Sequence, residues 1–149
     1  YNWYTVDDSR GLCMEGWHVS TDDDWKILEL YLGMCEGMSG NECSSFISTE
    51  LCCVDDTAWR GTYEGGKLKG MDYDHWFSPN IGATDEYGFT VLSAGIRDYS
   101  SGQFNDIGTT AIFWQPDGGT RWFKNSRSTI FRDPVQAVNY GYSIRCLKD

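Results

Sequence analysis

Residues 111–125 read AIFWQPDGGTRWFKN, in which two apolar and aromatic runs flank a Pro-Asp-Gly tripeptide. Proline fixes its own φ and glycine accepts a positive φ, so Pro116-Asp117-Gly118 favours a turn. The flanking runs 110–115 and 120–125 have the composition of strands. This stretch therefore predicts two strands joined by a turn, with alternate side chains such as Trp114 and Phe123 directed towards the core.

Strand-like runs continue outward from this stretch in both directions. FTVLSAGIR (89–97) precedes it, GYSIRCLK (141–148) follows it, and YNWYTV (1–6) forms an aromatic and β-branched opening. Glycine, asparagine and aspartate separate these runs, as expected for short strands between loops. The sequence therefore predicts a largely β second half and a first strand at residues 1–6.

A helix is predicted after residue 20. Thr21 is a suitable N-cap with Asp24 three residues later, and Trp25, Leu28, Tyr31 and Leu32 recur at helical spacing before Gly33 ends the run. A second helical stretch over residues 58–68 is weakened by three glycines. One main helix followed by strands indicates an α+β fold with a twisted antiparallel sheet and long loops.

Length and charge restrict the classes of function. The 149 residues fit one domain, and the net charge of −10 opposes a nucleic-acid surface. The apolar runs are too short to span a bilayer, so we expect no membrane insertion.

The six cysteines point to disulfides in an oxidising compartment, because none has the spacing of a zinc or redox motif. Pairing Cys13 with Cys146 would close the longest loop and join the two ends of the chain. Cys35, Cys43, Cys52 and Cys53 are expected to cross-link locally within a cysteine-rich insertion, residues 34–57. We expect an exported or cell-surface protein whose mature form begins near Tyr1.

Seven blocks, in order, resemble one known family. They are YNWYTV (1–6), LCMEGWHVSTDDDW (12–25), YLGM (31–34), WRGTYEGGKLKG (59–70), HWFSPNIGATDEYGFTVLSAGIRD (75–98), FNDIG (104–108) and YGYSIRCLKD (140–149). Together they resemble the Fibrobacter succinogenes major paralogous (FISUMP) domain over residues 1–149, as a single domain.

The resemblance implies a compartment and an architecture. The family is associated with secreted and cell-surface proteins of Bacteroidetes and Fibrobacteres. Its fold is related to the C-type lectin-like fold, in the branch of formylglycine-generating enzymes, with paired N- and C-terminal strands. This agrees with the Cys13–Cys146 pairing. The family has no defined biochemical activity, and the chain departs from it in the insertion and in the WQPDGG segment.

Some animal C-type lectins use a Gln-Pro-Asp tripeptide to hold calcium and galactose, which makes Gln115 and Asp117 candidate calcium ligands. Such a site needs a second half, Trp-Asn-Asp, on a following strand. Here Trp122 is followed by Phe123 and Lys124, and an ammonium would oppose the metal. The acidic clusters 21–25 and 71–76 are better explained as helix-start and loop carboxylates. We expect no cofactor, with calcium as the alternative.

Catalysis is not favoured by the sequence. His18 and His75 are the two histidines, and both fit structural hydrogen-bonding roles. Nothing marks a cysteine as an activated thiol rather than as half of a bridge. We therefore expect a protein that is not an enzyme.

Binding through the late strands and loops is the preferred function, because aromatic and arginine side chains suit stacking and bidentate hydrogen bonds. The candidate ligand-binding residues are Trp114, Arg121, Trp122, Asn125, Arg127 and Arg132. The expected partner is a glycan or a surface protein. The first alternative is a structural subunit of a self-assembling filament or coat, and the second is a calcium-dependent lectin.

Overall fold

The computed structural model of the chain describes residues 1–34 and 53–149. Its helices are α1 (Trp3–Val6), α2 (Asp22–Tyr31) and α3 (Glu64–Leu68), with a short 3₁₀ helix, η1 (Cys53–Asp55). Its strands are β1 (Trp17–Val19), β2 (Ala58–Arg60), β3 (Ile96–Arg97), β4 (Phe104–Asn105), β5 (Thr110–Trp114), β6 (Thr120–Lys124), β7 (Ile130–Asp133) and β8 (Cys146–Lys148).

The central sheet has four strands in the order β2-β7-β6-β5, and each neighbouring pair is antiparallel. Two-stranded antiparallel sheets, β1-β8 and β3-β4, accompany it. An α+β fold with mostly antiparallel strands and few helices is therefore confirmed.

The predicted turn between β5 and β6 is confirmed. Gln115 N donates to the Gly119 carbonyl at 2.9 Å, and Gly118 N donates to the Gln115 carbonyl at 3.1 Å. Gly118 has a φ of 85°, which glycine adopts without strain. Asp117 Oδ1 accepts from Gly119 N at 3.0 Å, so this carboxylate stabilises the turn.

Alternation along the strands gives the central sheet two different faces. Ala111, Phe113, Phe123 and Ile130 pack with Trp25 of α2 in one buried cluster. The residues next to them on each strand lie on the other face, because successive strand side chains point to opposite faces. The α2 side of the sheet is therefore a closed core.

The opposite face is only partly covered. Ile112 and Trp114 of β5 pack with Val6 and Tyr142 in a second buried cluster. The placement of Trp114 and Phe123 in the core, which strand alternation predicts, is confirmed. On the same face, the strands beyond β5 carry aromatic side chains that are only half-buried.

The main helix begins and ends as predicted. The Thr21 side chain accepts from Asp24 N, and the Asp24 side chain accepts from Thr21 N, which completes a capping box. Trp25 is buried, and Gly33 beyond the helix has a φ of 102°. The three consecutive aspartates in the first turn suit the positive end of the helix dipole.

Three predicted strands are wrong in whole or in part. Within 141–148 only Cys146–Lys148 is a strand. Residues 1–6 contain helix α1, because Asn2 Oδ1 accepts from Thr5 N and provides an N-cap. Within 89–97 only Ile96–Arg97 is a strand, because Thr90 and Gly95 adopt positive φ values that interrupt an extended run.

Two further regions differ from expectation. The weak helix over residues 58–68 divides into strand β2 and helix α3, with Gly61 between them at a φ of 77°. Strand β7 has no counterpart among the predicted runs, yet it lies between β2 and β6 in the central sheet.

The two ends of the chain are held together. Cys13 and Cys146 form a disulfide with a Cα–Cα distance of 5.8 Å, as predicted. β1 pairs with β8, so paired terminal strands are also confirmed, with the first at residues 17–19 rather than 1–6. The pairing of Cys35, Cys43, Cys52 and Cys53 lies outside the described residues.

His18 of β1 connects the chain end to the start of α2. Its Nδ1 lies 2.6 Å from Asp149 Oδ1, and its Nε2 lies 3.1 Å from Asp24 Oδ2. The hydrogen bonds with Asp149 and then Asp24 raise the pKa of His18 above 6.5. The imidazolium therefore stabilises the folded state.

We expect the stability contributed by His18 to depend on pH. Because its folded pKa is raised, the contribution is fully present below pH 6.5 and is lost as pH rises through the folded pKa. Urea unfolding of the wild type and of His18→Gln, across about pH 5 to 9, measures it. The difference between the two proteins should shrink with rising pH, and a constant difference would contradict this role.

Candidate functional site

Three aromatic side chains form a row across the sheet face that points away from α2. Trp59 of β2, Phe131 of β7 and Trp122 of β6 are register partners on adjacent strands. Ring centroids lie 5.2 Å apart between Trp59 and Phe131, and 5.5 Å apart between Phe131 and Trp122. All three are half-buried, so this aromatic row is accessible from solvent.

The aromatic row continues into two tyrosines that precede β8. Trp122 and Tyr142 have ring centroids 6.5 Å apart, and the Tyr142 and Tyr140 rings are stacked with an interplanar angle of 4°. At the other end, the guanidinium of Arg127 lies 4.8 Å from the Trp59 ring centroid. A cation over an indole face is a favourable electrostatic contact.

A concave site, which we call the aromatic cleft, lies where the row meets the tyrosines. Its volume is about 240 Å³. It is lined by Ile96, Asp106, Thr110, Ile112, Trp122, Lys124, Gln136, Tyr140 and Tyr142. Aromatic walls therefore meet a carboxylate, an ammonium and an amide within one cleft.

Two of the polar groups in the aromatic cleft are free to bind. Among the described residues, neither the Asp106 carboxylate nor the Lys124 ammonium has an ion-pair or hydrogen-bond partner, although the Asp106 main-chain carbonyl accepts from Thr109. Together with the rings, they suit a ligand that has both an apolar face and hydroxyl groups.

The walls of the aromatic cleft are fixed by hydrogen bonds. Tyr142 donates its hydroxyl to Gln136 Oε1 at 3.2 Å, and Gln136 Nε2 donates to Asp133 Oδ2. Trp122 Nε1 donates to Thr120 Oγ1 at 2.7 Å. Burial, followed by Tyr140 and Asp133, raises the pKa of Tyr142 to about 12, so the phenol stays neutral.

The loop from β6 to β7 is anchored by a buried lysine. Lys69 Nζ donates to the carbonyls of Ile81, Lys124 and Arg127 at 2.9, 3.0 and 2.8 Å. Burial lowers the pKa of Lys69 to about 8, yet three acceptors match the three hydrogens of an ammonium. This contact holds the main chain of Arg127 beside the aromatic row.

Two of the candidate binding residues are buried, so they are not available to a ligand at the surface. Trp114 lies in the second core cluster and donates Nε1 to the Tyr1 carbonyl at 2.9 Å. Arg121 points to the opposite face of the sheet, towards α2, with no exposed surface. Neither side chain is presented at the aromatic face.

Arg121 belongs to an ionic cluster under α2, formed by Asp22, Glu29, Arg60, Arg121 and Arg132. Arg121 Nε lies 2.9 Å from Glu29 Oε1, and its Nη2 lies 2.8 Å from Asp22 Oδ1. Arg60 forms an ion pair with the same Glu29 carboxylate, and Arg132 donates twice to Asp22 at 2.8 Å. The ionic cluster ties α2 to β2, β6 and β7.

Burial dominates the electrostatics at the centre of the ionic cluster. It raises the pKa of Glu29 against the charges of Arg121 and Arg60, and it lowers the pKa of Arg60 to about 10. At Asp22, burial is outweighed by hydrogen bonds from Arg132 and Lys26, so its pKa falls well below the usual value. Asp22 and Arg60 are therefore charged at neutral pH, and the contacts of the ionic cluster are structural in role.

The other four candidates have separate environments. Trp122 belongs to the aromatic row, and Arg127 lies over Trp59. Asn125 Nδ2 donates to the carbonyls of Phe77 and Ser78 at 3.2 and 3.4 Å, which fixes a neighbouring loop. Arg132 is held by Asp22. The structure therefore brings together Trp122 and Arg127 on one face, but not all six residues.

The alternative calcium residues, Gln115 and Asp117, differ in exposure. Gln115 is buried and its Nε2 has no partner among the described residues, whereas the exposed Asp117 is engaged in the turn. Among the described residues, no group of three or more His, Cys, Asp or Glu side chains could hold a metal ion.

The sequence matches one family model, the Fibrobacter succinogenes major domain, over residues 1–148. The chain belongs to this family. The match covers the aromatic row, the aromatic cleft and the ionic cluster, so these are features of a Fibrobacter succinogenes major domain as this chain builds it. No curated protein and no solved structure gives a significant match.

Two residues of the aromatic row in this Fibrobacter succinogenes major domain are not among the residues that the sequence predicted for binding. Phe131 lies on the unpredicted strand β7, and Trp59 lies where a weak helix was considered. The runs AWR (58–60), RWF (121–123) and IFR (130–132) each place an aromatic residue beside an arginine. That repeated pattern is the sequence signal for the aromatic row, because neighbouring strand residues point to opposite faces, so Trp59, Trp122 and Phe131 lie on the face opposite to the arginines.

Within the described residues, no helix is both long and apolar enough to cross a membrane.

Proposed function

We propose that this chain is a non-catalytic recognition module of the cell exterior, which binds a glycan in the aromatic cleft. One observation carries the proposal: aromatic and charged side chains line the same cleft of about 240 Å³. The aromatic residues are Trp122, Tyr140 and Tyr142, and the unpaired charged residues are Asp106 and Lys124. Aromatic rings stack on the apolar faces of sugars, and charged groups form strong hydrogen bonds with hydroxyls.

Export is supported by the disulfide between Cys13 and Cys146, since such bonds persist in oxidising compartments. A C-type lectin-like fold is supported by the paired terminal strands, the single main helix and the loop-rich antiparallel sheets. We place the domain in that fold as part of the proposal.

A glycan is favoured over a flat protein partner by the shape of the site. The rings of the aromatic row are inclined to one another at 63° and 50°, so they do not form one flat apolar surface. Beside Tyr140 the surface becomes concave and polar, which suits a small hydroxylated group.

The proposed binding does not use calcium. The Gln115 side chain is buried and Asp117 holds the turn, so neither offers the open oxygen cage that calcium requires. The proposed ligand is held instead by the aromatic rings and by Asp106 and Lys124.

A glycan screen, repeated in calcium and in chelator, tests this function. We expect binding in both, with about a tenfold loss of affinity for Tyr140→Ala and for Lys124→Ala, since each removes roughly one stacking or charged contact. Tyr73→Ala and Lys148→Ala are matched controls, because both residues are exposed and lie outside the aromatic cleft. Titration calorimetry gives the affinities.

The other outcomes separate the alternatives. Binding that vanishes in chelator and in Asp117→Ala would replace the proposal with a calcium-dependent lectin. No glycan binding, together with ordered multimers on sizing, would favour a filament or coat subunit. Exposed aromatic side chains elsewhere on the surface, including Tyr4, Tyr99 and Phe104, give such assembly a physical basis.

A further inference from the structure

A second cavity lies between the start of α2, the β1-β8 pair and the loop that carries Phe89. Its volume is about 120 Å³. It is lined by Ser20, Asp24, Trp25, Leu28, Phe89, Arg145 and Leu147. None of these residues lines the aromatic cleft, so the two sites are separate.

Three residues that line this cavity each have a hydrogen-bond donor without an acceptor. Ser20 Oγ, Trp25 Nε1 and Arg145 Nε are all buried atoms without a hydrogen-bond partner among the described residues. Ser20 and Trp25 are each 2% exposed. A buried polar group without a partner is costly, so a ligand that supplies an acceptor to these three groups would be bound favourably.

The main chain brings these donors together. Ser20 N donates to the Arg145 carbonyl at 2.8 Å, so the two residues lie on adjacent backbone segments. Trp25 follows in the first turn of α2, where its ring packs against Phe89 with a centroid distance of 5.7 Å. The same capping box that starts α2 therefore positions two of the three donors.

The positive charge of Arg145 indicates the charge that the ligand carries. Its Nη2 donates to the Phe89 carbonyl, and its guanidinium lies 4.1 Å from the Phe89 ring centroid. Among the described residues it forms no ion pair with a carboxylate, although the charge of Asp85 acts against the lowering of its pKa by burial. A partly buried guanidinium that forms no ion pair favours an anion.

Asp24 is the one acidic residue in the lining, and it is already engaged. Its Oδ2 accepts from Thr21 N at 2.9 Å and from Thr21 Oγ1 at 2.6 Å, and it lies beside His18 Nε2. The hydrogen bonds with Asp149 and Asp24 raise the pKa of His18, which favours the protonated imidazole next to this carboxylate. Asp24 therefore does not neutralise Arg145.

We propose that this cavity binds a short-chain monocarboxylate, with its carboxylate on Ser20, Trp25 and Arg145 and its aliphatic chain against Leu28, Phe89 and Leu147. The Trp25 indole and the Arg145 Nε can only donate, which matches a carboxylate that can only accept. A cavity of ~150 Å³ holds benzene, which has six non-hydrogen atoms, so a cavity of this volume holds about five. Propionate has that size, and butyrate is longer by one methylene.

Indole resonances in a ¹H–¹⁵N spectrum test this site directly. The Trp25 signal is assigned by its loss in Trp25→Phe, and butyrate is then titrated into the wild-type protein. We expect a saturable shift of the Trp25 indole proton, and at least about tenfold weaker binding of butyramide, which has the same shape without the charge. Ser20→Ala should weaken butyrate binding about tenfold, whereas Ser126→Ala, at an exposed serine outside the cavity, should not.

Three results would overturn the proposal. An unmoved Trp25 indole at saturating butyrate would mean that the cavity holds water alone. Equal binding of butyrate and butyramide would remove the role of Arg145. Unchanged butyrate affinity in Ser20→Ala would place the acid elsewhere, and the two wild-type titrations decide the matter even where a variant does not fold.

Discussion

Glu29→Gln should lower the free energy of unfolding by about 3–5 kcal/mol, because it leaves two buried guanidiniums without their shared carboxylate. Glu29 accepts from Arg121 Nε at 2.9 Å and is paired with Arg60, and none of the three side chains is more than marginally exposed. The amide keeps the shape of the carboxylate but removes its charge. Urea unfolding with an unchanged m-value measures the loss.

Asp23→Asn is the matched control for this prediction. Asp23 lies on the same helix, its side chain is 88% exposed, and its Oδ1 is 3.8 Å from Lys26 Nζ. An exposed pair of this kind contributes at most about 1 kcal/mol. A loss below that value in Glu29→Gln would mean that the ionic cluster does not hold α2 to the sheet.

Removal of the Cys13–Cys146 disulfide should have an effect of similar or greater size. The bridge spans 133 residues, so chain-entropy arguments give about 5 kcal/mol of lost stability at 25 °C. The β1-β8 pair between the chain ends has three residue pairs and would be left to hold the termini. Urea unfolding of Cys13→Ala/Cys146→Ala under oxidising conditions measures this loss.

The single variants provide the control. Cys13→Ala and Cys146→Ala each remove the same bridge, so their stabilities should match that of the double variant to within about 1 kcal/mol. A double variant as stable as the wild type would mean that strand pairing alone fixes the termini.

Local signals in the sequence predicted local structure well. The capping box at Thr21 and Asp24, and the turn at residues 115–119, depend on contacts within a few residues. The Cys13–Cys146 bridge was also accessible, because loop entropy and the family resemblance pointed to the same pair. In each case the residues that form the contact were identifiable from their own chemistry.

The positions of the Arg121 and Arg132 side chains depend on partners that are distant in the sequence. Arg121 meets Glu29 across 92 positions in sequence, and Arg132 meets Asp22 across 110. Composition alone makes such residues look like exposed binding groups, and only the sheet register directs them towards α2. The strand prediction for residues 1–6 failed similarly, because an Asn2 cap outweighed the β-propensity of its neighbours.

The indole spectrum of the wild-type protein with a glycan from the screen tests the central claim most directly. Trp122 lines the aromatic cleft, Trp25 lines the separate cavity, and each signal is assigned by substitution with phenylalanine. Glycan binding in the aromatic cleft predicts the largest shift at the Trp122 indole, in calcium and in chelator alike. A glycan that binds while the Trp122 signal stays unmoved would contradict the account.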